Sequence, residues 1–162
     1  MKHLILVGLP GSGKTTVGRL AAERLELPFA DCDTLIEAET GLTIPAIFAQ
    51  IGERGFRTVE SRFLAALCRQ NTQVIATGGG AVESAENRRL LKESGVVVFL
   101  DRDIRRIVGC VGNRERPLLK QYTLEQLSRR RQDWYLDCAD AIISGGTAEQ
   151  LAAQAAGIWR NA

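Results

Sequence analysis

Gly8-Leu9-Pro10-Gly11-Ser12-Gly13-Lys14-Thr15 satisfies every fixed position of the pattern G-x-x-x-x-G-K-[ST]. Its flanks supply the context that the pattern requires. Leu4-Ile5-Leu6-Val7 reads as a short buried strand, and Thr16 to Leu25 as an amphipathic helix. Glycines at 8, 11 and 13 permit a tight turn whose backbone N–H groups converge at the positive end of the helix dipole, a place for phosphate oxygens. The stretch therefore predicts a nucleotide phosphate site, with Gly11, Ser12, Gly13, Lys14, Thr15 and Thr16 around it. Lys14 is expected to set a point charge against the β- and γ-phosphates. The Thr15 hydroxyl suits Mg²⁺, which prefers oxygen ligands and arrives with the nucleotide. A turn with only a structural task does not call for a lysine followed by a hydroxyl.

Outside this loop, composition mainly excludes. At 162 residues the chain suits one domain, residues 1–162, large enough to bury a core without disulfides or a structural metal. A formal net charge of +2 gives no reason to invoke nucleic acid. Cysteines at 32, 68, 110 and 138 are too far apart for a C-x-x-C motif, and the single His3 cannot complete a zinc set, so free thiols in a reducing compartment are expected. Val96 to Leu100, the longest apolar run, is too short to span a bilayer, and a first strand reached by Leu4 leaves no room for a signal peptide. A cytoplasmic monomer with no membrane partner is the resulting expectation.

Along the chain, Leu27-Pro28 closes the first helical pattern and Phe29-Ala30 opens a second strand, with Asp31 and Asp33 at or just beyond its end. At i and i+2 of an extended segment these carboxylates point to one side. A short helix over Thr34–Thr40 ends at Gly41, and Thr43 caps another that Gly52 closes. From Glu53 to about Arg69 the apolar positions Phe56, Val59, Phe63, Leu64 and Leu67 share a helical face, while Arg57 and Glu60 lie on a polar side, as a solvated ion pair or as something more. Gln73–Thr77 is a buried strand that runs into Gly78-Gly79-Gly80, and three glycines in a row suggest a ligand approaching the backbone where a side chain would collide. Ser84 is placed to cap a helix that Gly95 ends, before the all-apolar strand Val96–Leu100. A helix from Ile104 to about Val108 gives way to a glycine- and charge-rich loop through Pro117. Capping boxes at Thr123-Leu124-Glu125-Gln126 and Thr147-Ala148-Glu149-Gln150 open two more helices, with a strand at Ala141–Ser144 between them and one of Arg129, Arg130 and Arg131 available to face inward. Alternating strands and helices predict an α/β sheet, parallel, with helices on both faces.

Five ordered stations beyond the loop carry a resemblance: Asp31-Cys32-Asp33, Gly52-Glu53-Arg54-Gly55-Phe56-Arg57-Thr58-Val59-Glu60, Gly78-Gly79-Gly80, Arg116-Pro117-Leu118-Leu119, and Arg131 four residues before Tyr135. Together they resemble the shikimate kinases, relatives of the nucleoside monophosphate kinases, over nearly the whole chain. The resemblance implies a three-layer α/β/α P-loop NTPase fold on a five-stranded parallel sheet, with a substrate-binding region at about 31–62 and a lid at about 109–120. It implies ATP- and Mg²⁺-dependent phosphorylation of shikimate to shikimate 3-phosphate, in the synthesis of aromatic amino acids. In that reading Asp33 contacts the substrate hydroxyls and takes a proton, and Asp31 helps hold the metal through water. Arg57, Arg131 and the backbone of the Gly78–Gly80 triplet, Gly79 above all, bind the acid, and Glu60 orients the arginine. Lys14, Mg²⁺ and Arg116 neutralise charge on the transferring group. These roles fit the chemistry of a guanidinium fork on a carboxylate and of a loose phosphoryl transfer. One position departs from the pattern: Cys110 stands where some members place an adenine-stacking arginine, with Arg105, Arg106 and Arg114 nearby. Two other readings remain, a kinase of another small metabolite, of the gluconate type, and a catalytically idle nucleotide-binding regulatory module.

Overall fold

The computed structural model describes residues 2–111 and 122–162, with the side chains of 108–111 excepted. Five strands, β1 (His3–Val7), β2 (Phe29–Asp31), β3 (Val74–Ala76), β4 (Gly95–Leu100) and β5 (Ala141–Ile143), form one parallel sheet in the order β2-β3-β1-β4-β5. The two central ladders share β1: Leu4 lies opposite Val74 on one side and Val96 on the other. Because side chains alternate along a strand, consecutive residues serve opposite cores. Leu4, Leu6, Val96, Val98 and Leu100 pack beneath α1 (Lys14–Leu25) and α7 (Ala148–Arg160). Ile5, Val7, Val97 and Phe99 pack on the other face, against α3 (Ile44–Cys68), α4 (Ala85–Ser94) and α6 (Leu124–Cys138), with α2 (Cys32–Thr40) and α5 (Ile104–Val111) at its margins. All of these strand residues are at most 4% exposed. Burial on both faces is what a continuously apolar strand requires, and each such side chain contributes about 1.5–3 kcal/mol.

The expected helix boundaries follow from caps that the structure contains. Thr43, Ser84, Thr123 and Thr147 each accept a hydrogen bond from the backbone N–H three residues on, and both expected capping boxes are complete. Gly52 sits at φ 71°, ψ 179° and breaks α3 into the two segments read from the sequence, without parting them.

Two expectations change. The chain turns helical at Cys32, so Asp33 lies in the first turn of α2 rather than in an extended segment, while Asp31 ends β2 and caps α2 by accepting from the Thr34 N–H at 3.0 Å. The cap on Thr34 rewards an early start to the helix. α5 continues through Gly109 and Cys110 to Val111, past the point where its glycine content suggests a loop. The rest of the expected lid, including Arg114 and Arg116-Pro117-Leu118-Leu119, lies outside the described residues. Cys32, Cys68 and Cys138 are free thiols. Burial, with Asp33 second, pushes the Cys32 thiol far above its ordinary range, which makes it inert as a nucleophile. Among the described residues no helix is long and apolar enough to cross a membrane.

Candidate active site

In a parallel sheet of this kind ligands bind beyond the carboxyl ends of the strands, and these ends converge on one cleft. Its volume is about 850 Å³, and its lining includes Gly11, Gly13, Lys14, Thr15 and Thr16 from the phosphate loop, Asp31 and Asp33, Arg57 and Glu60, Gly78–Gly80, and Arg131. Residues from five separate parts of the chain therefore meet in one place. Every candidate site residue among the described ones lines it except Ser12, which is buried within the loop. Arg116 lies outside the described residues.

Within the lining, the loop after β1 wraps around its own lysine. Lys14 is 8% exposed, and its ammonium donates to the carbonyls of Gly8 at 2.6 Å and Leu9 at 2.8 Å. Gly13 caps α1 in the left-handed region, at φ 97°, with no side-chain acceptor on the helix N-terminus. The residues of this first turn, Lys14, Thr15 and Thr16, line the cleft, and an uncapped helix N-terminus suits an anion. The Thr15 hydroxyl donates to Asp31 Oδ2 at 2.5 Å. A hydroxyl and a carboxylate held together suit Mg²⁺, which demands oxygen ligands. Among the described residues no group of three or more His, Cys, Asp and Glu can hold a metal ion, so this pair needs phosphate oxygens and water to complete a coordination sphere.

Another part of the lining is built on arginine. Arg57, from the second segment of α3, donates through Nη1 to Glu60 Oε1 at 2.8 Å. Glu60 is 1% exposed, so the pair is not the solvated one that spacing alone allows. Burial raises the Glu60 carboxyl above its ordinary range, against the pull of Arg57. Arg57 Nε is buried without a hydrogen-bond partner among the described residues. On α6, Arg131 is the arginine of its run that turns inward, at 1% exposed. Tyr135, one helical turn on, donates its hydroxyl to the Gly79 carbonyl at 2.6 Å and ties α6 to the glycine triplet.

The triplet itself is explained by neighbours within the chain. A Cβ on Gly78 would fall 2.5 Å from Glu60 Oε2, one on Gly79 2.8 Å from Pro10 Cδ, and one on Gly80 against the Arg57 guanidinium. Neighbouring side chains take up the room where a Cβ would stand, and the triplet still lines the cleft.

One residue of this cluster carries no signal in the sequence. Glu83 follows the triplet in a short 3-10 turn, Ala81–Glu83, and its carboxylate meets three arginines. Oε2 accepts from Arg131 Nε at 3.0 Å, with Arg131 Nη2 at 2.8 Å and Arg57 Nη2 at 3.6 Å, while Oε1 accepts from Arg130 Nη2 at 3.0 Å. Burial favours the neutral acid, but Arg131, Arg57 and Arg130 together outweigh it and hold the carboxyl below its ordinary range. Those partners lie 26 to 48 residues away in the chain, beyond any local pattern. On the nucleotide side, the Cys110 side chain, at the position of the adenine-stacking arginine, lies outside the described residues. Arg102, just past β4, brings its guanidinium carbon within 4.0 Å of where a Cβ on Gly13 would stand.

Comparison with known proteins agrees with this architecture. Residues 10–158 match the family model for shikimate kinase. A shikimate kinase of Pseudomonas syringae pv. syringae is 46% identical over 148 residues, covering 88% of this chain and 86% of the relative. Among solved structures, shikimate kinase from Acinetobacter baumannii in complex with shikimate superposes with a TM-score of 0.91 at 39% identity, covering 97% of this chain and 92% of that one. Shikimate kinase from Aquifex aeolicus gives a TM-score of 0.83 at 30% identity, covering 99% and 97%.

Proposed function

This chain belongs to the shikimate kinase family, and from that premise we propose that it transfers the γ-phosphoryl group of ATP to a ring hydroxyl of shikimate, giving shikimate 3-phosphate for aromatic amino-acid synthesis. The observation that carries the reading is that two sets of charged groups line one cleft. The phosphate loop with Thr15 and Asp31 forms one, the Arg57 and Arg131 guanidiniums the other, and Asp33 lines the cleft with them. A nucleotide site alone has no use for the second set. A hydroxylated carboxylic acid bound beside the nucleotide has use for it.

In this reading the α1 N-terminus and Lys14 receive the β- and γ-phosphates, whose oxygens replace the carbonyls to which the ammonium now donates. Thr15, and Asp31 through water, would hold Mg²⁺, which supplies charge neutralisation on the transferring group. Arg57 and Arg131, with the Gly79 backbone, fix the acid and so turn a ring hydroxyl towards the phosphates. Asp33 orients that hydroxyl and accepts its proton late in a loose transfer. Arg116 is proposed to add positive charge from the lid, about residues 109–120, and residues 31–62 to form the substrate-binding part of a single domain. A cytoplasmic, monomeric enzyme is proposed as well. A coupled assay with ATP, Mg²⁺ and shikimate, quinate or gluconate tests the reading. ADP release stimulated by shikimate above the other acids is expected. A preference for gluconate, or ATP binding with no transfer to any acid, would overturn it.

A further inference from the structure

Glu83 is a carboxylate placed against two arginines that the proposed function reserves for a carboxylate of the substrate. Two roles are open to it, occupant or buttress, and geometry separates them. Arg57 and Arg131 line the cleft, whereas Glu83 does not. Glu83 Oε2 accepts from Arg131 Nε at 3.0 Å and stands 2.8 Å from Arg131 Nη2. Its other oxygen is held by Arg130, from the solvent side, at 3.0 Å. Among the described residues Glu83 is the sole carboxylate within ion-pair distance of Arg131, which is 1% exposed. Removing the ion-pair partner of a buried guanidinium leaves it free to leave its position or to draw in water. Arg57, by contrast, keeps Glu60 at 2.8 Å.

We infer that Glu83 is a positioning residue for acid recognition: by bridging Arg131 and Arg57 from outside the cleft it suppresses their mutual repulsion and aims both forks at one substrate carboxylate. The inference rests on the proposed function and deepens it. Opposing it is simple charge, since an anion beside the arginines also repels an incoming anion. Positioning wins here because Glu83 holds the buried Arg131 at hydrogen-bond distance and Arg57 within ion-pair distance, whereas the repulsion acts from outside the cleft.

The test is Glu83→Gln, nearly isosteric and uncharged, assayed with shikimate and with its neutral methyl ester, which lacks the anion but keeps the hydroxyls. The KM for shikimate should rise about tenfold, with kcat and the KM for ATP changed less than about twofold. The KM for the ester should not move. Should Glu83→Gln fail to fold, Glu83→Asp, which keeps the charge one methylene further back, should raise the acid KM alone, by a smaller factor. Equal increases for acid and ester would mean a general packing role and overturn the inference. An unchanged or lowered KM for shikimate would make Glu83 a bystander or a competitor and overturn it too. Wild-type enzyme that phosphorylates no shikimate would refute the functional reading first, and this inference with it.

Discussion

Gly80→Ala should damage recognition of the acid while sparing the fold. Gly80 has φ −98° and ψ 3°, a conformation that alanine adopts without strain. The added Cβ would strike Arg57, closest to Nη2 and 2.5 Å from both Cζ and Nη1. Ordinary carbon contact begins near 3.5 Å, so the guanidinium must retreat by about 1 Å or more. That movement stretches its 2.8 Å bond to Glu60 and withdraws it from the cleft. The far end of an arginine yields cheaply, so the melting temperature should change little. One charge-assisted hydrogen bond to a buried acid is worth about 1.5–3 kcal/mol, and losing it should raise the KM for shikimate roughly ten- to a hundred-fold. Steady-state kinetics with shikimate and ATP varied separately, beside a thermal melt, decide the matter. Gly79→Ala is the contrasting control, because its Cβ meets the Pro10 ring at 2.8 Å and presses on the phosphate loop, which should raise the KM for ATP. A Gly80→Ala enzyme with an unchanged KM for shikimate would refute the placement of Arg57 in acid binding.

Lys14→Ala should lower kcat by about a hundredfold or more even at saturating ATP, since it removes charge from the transferring group and also unties the loop carbonyls of Gly8 and Leu9. Near-normal turnover would contradict that role. Asp33→Asn should retain ATP binding yet lose roughly a hundred- to ten-thousand-fold in kcat, because an amide cannot accept the hydroxyl proton; equilibrium titration with ATP separates this from a folding defect. The Glu83 carboxyl sits below its ordinary value of 4.5 in the folded chain, so the unfolded chain binds more protons as acidity increases. Its stabilising pairs are fully present above about pH 4.5 and are lost as pH falls through the lower folded value. Melting temperature measured downward from pH 6 should therefore fall more steeply for wild type than for Glu83→Gln, and equal slopes would remove the claim.

What was legible in the sequence was whatever local chemistry specifies. The strand–loop–helix around Lys14, the four hydroxyl caps and the break at Gly52 each depend on neighbours within a few residues, and each stands where the pattern put it. Alternating aspartates at 31 and 33 fit an extended segment with a helix from Thr34, but Asp31 caps α2 and the helix begins two residues earlier, at Cys32. The glycine triplet was legible as bare backbone but not as to what lies on it, since Pro10, Arg57 and Glu60 arrive from other elements. Glu83 was invisible for the same reason. Its role depends on α3 and α6 being brought to one end of the sheet, and no residue beside it in the chain records that.

The central claim is that one cleft joins ATP to a hydroxylated acid. Phosphorus NMR of wild-type protein incubated with ATP, Mg²⁺ and shikimate tests it most directly. ADP and a new phosphomonoester resonance should appear in equal amounts, with little inorganic phosphate, because the acid and not water accepts the phosphoryl group. Inorganic phosphate growing in step with ADP, or no ADP at all in the presence of shikimate, would contradict it.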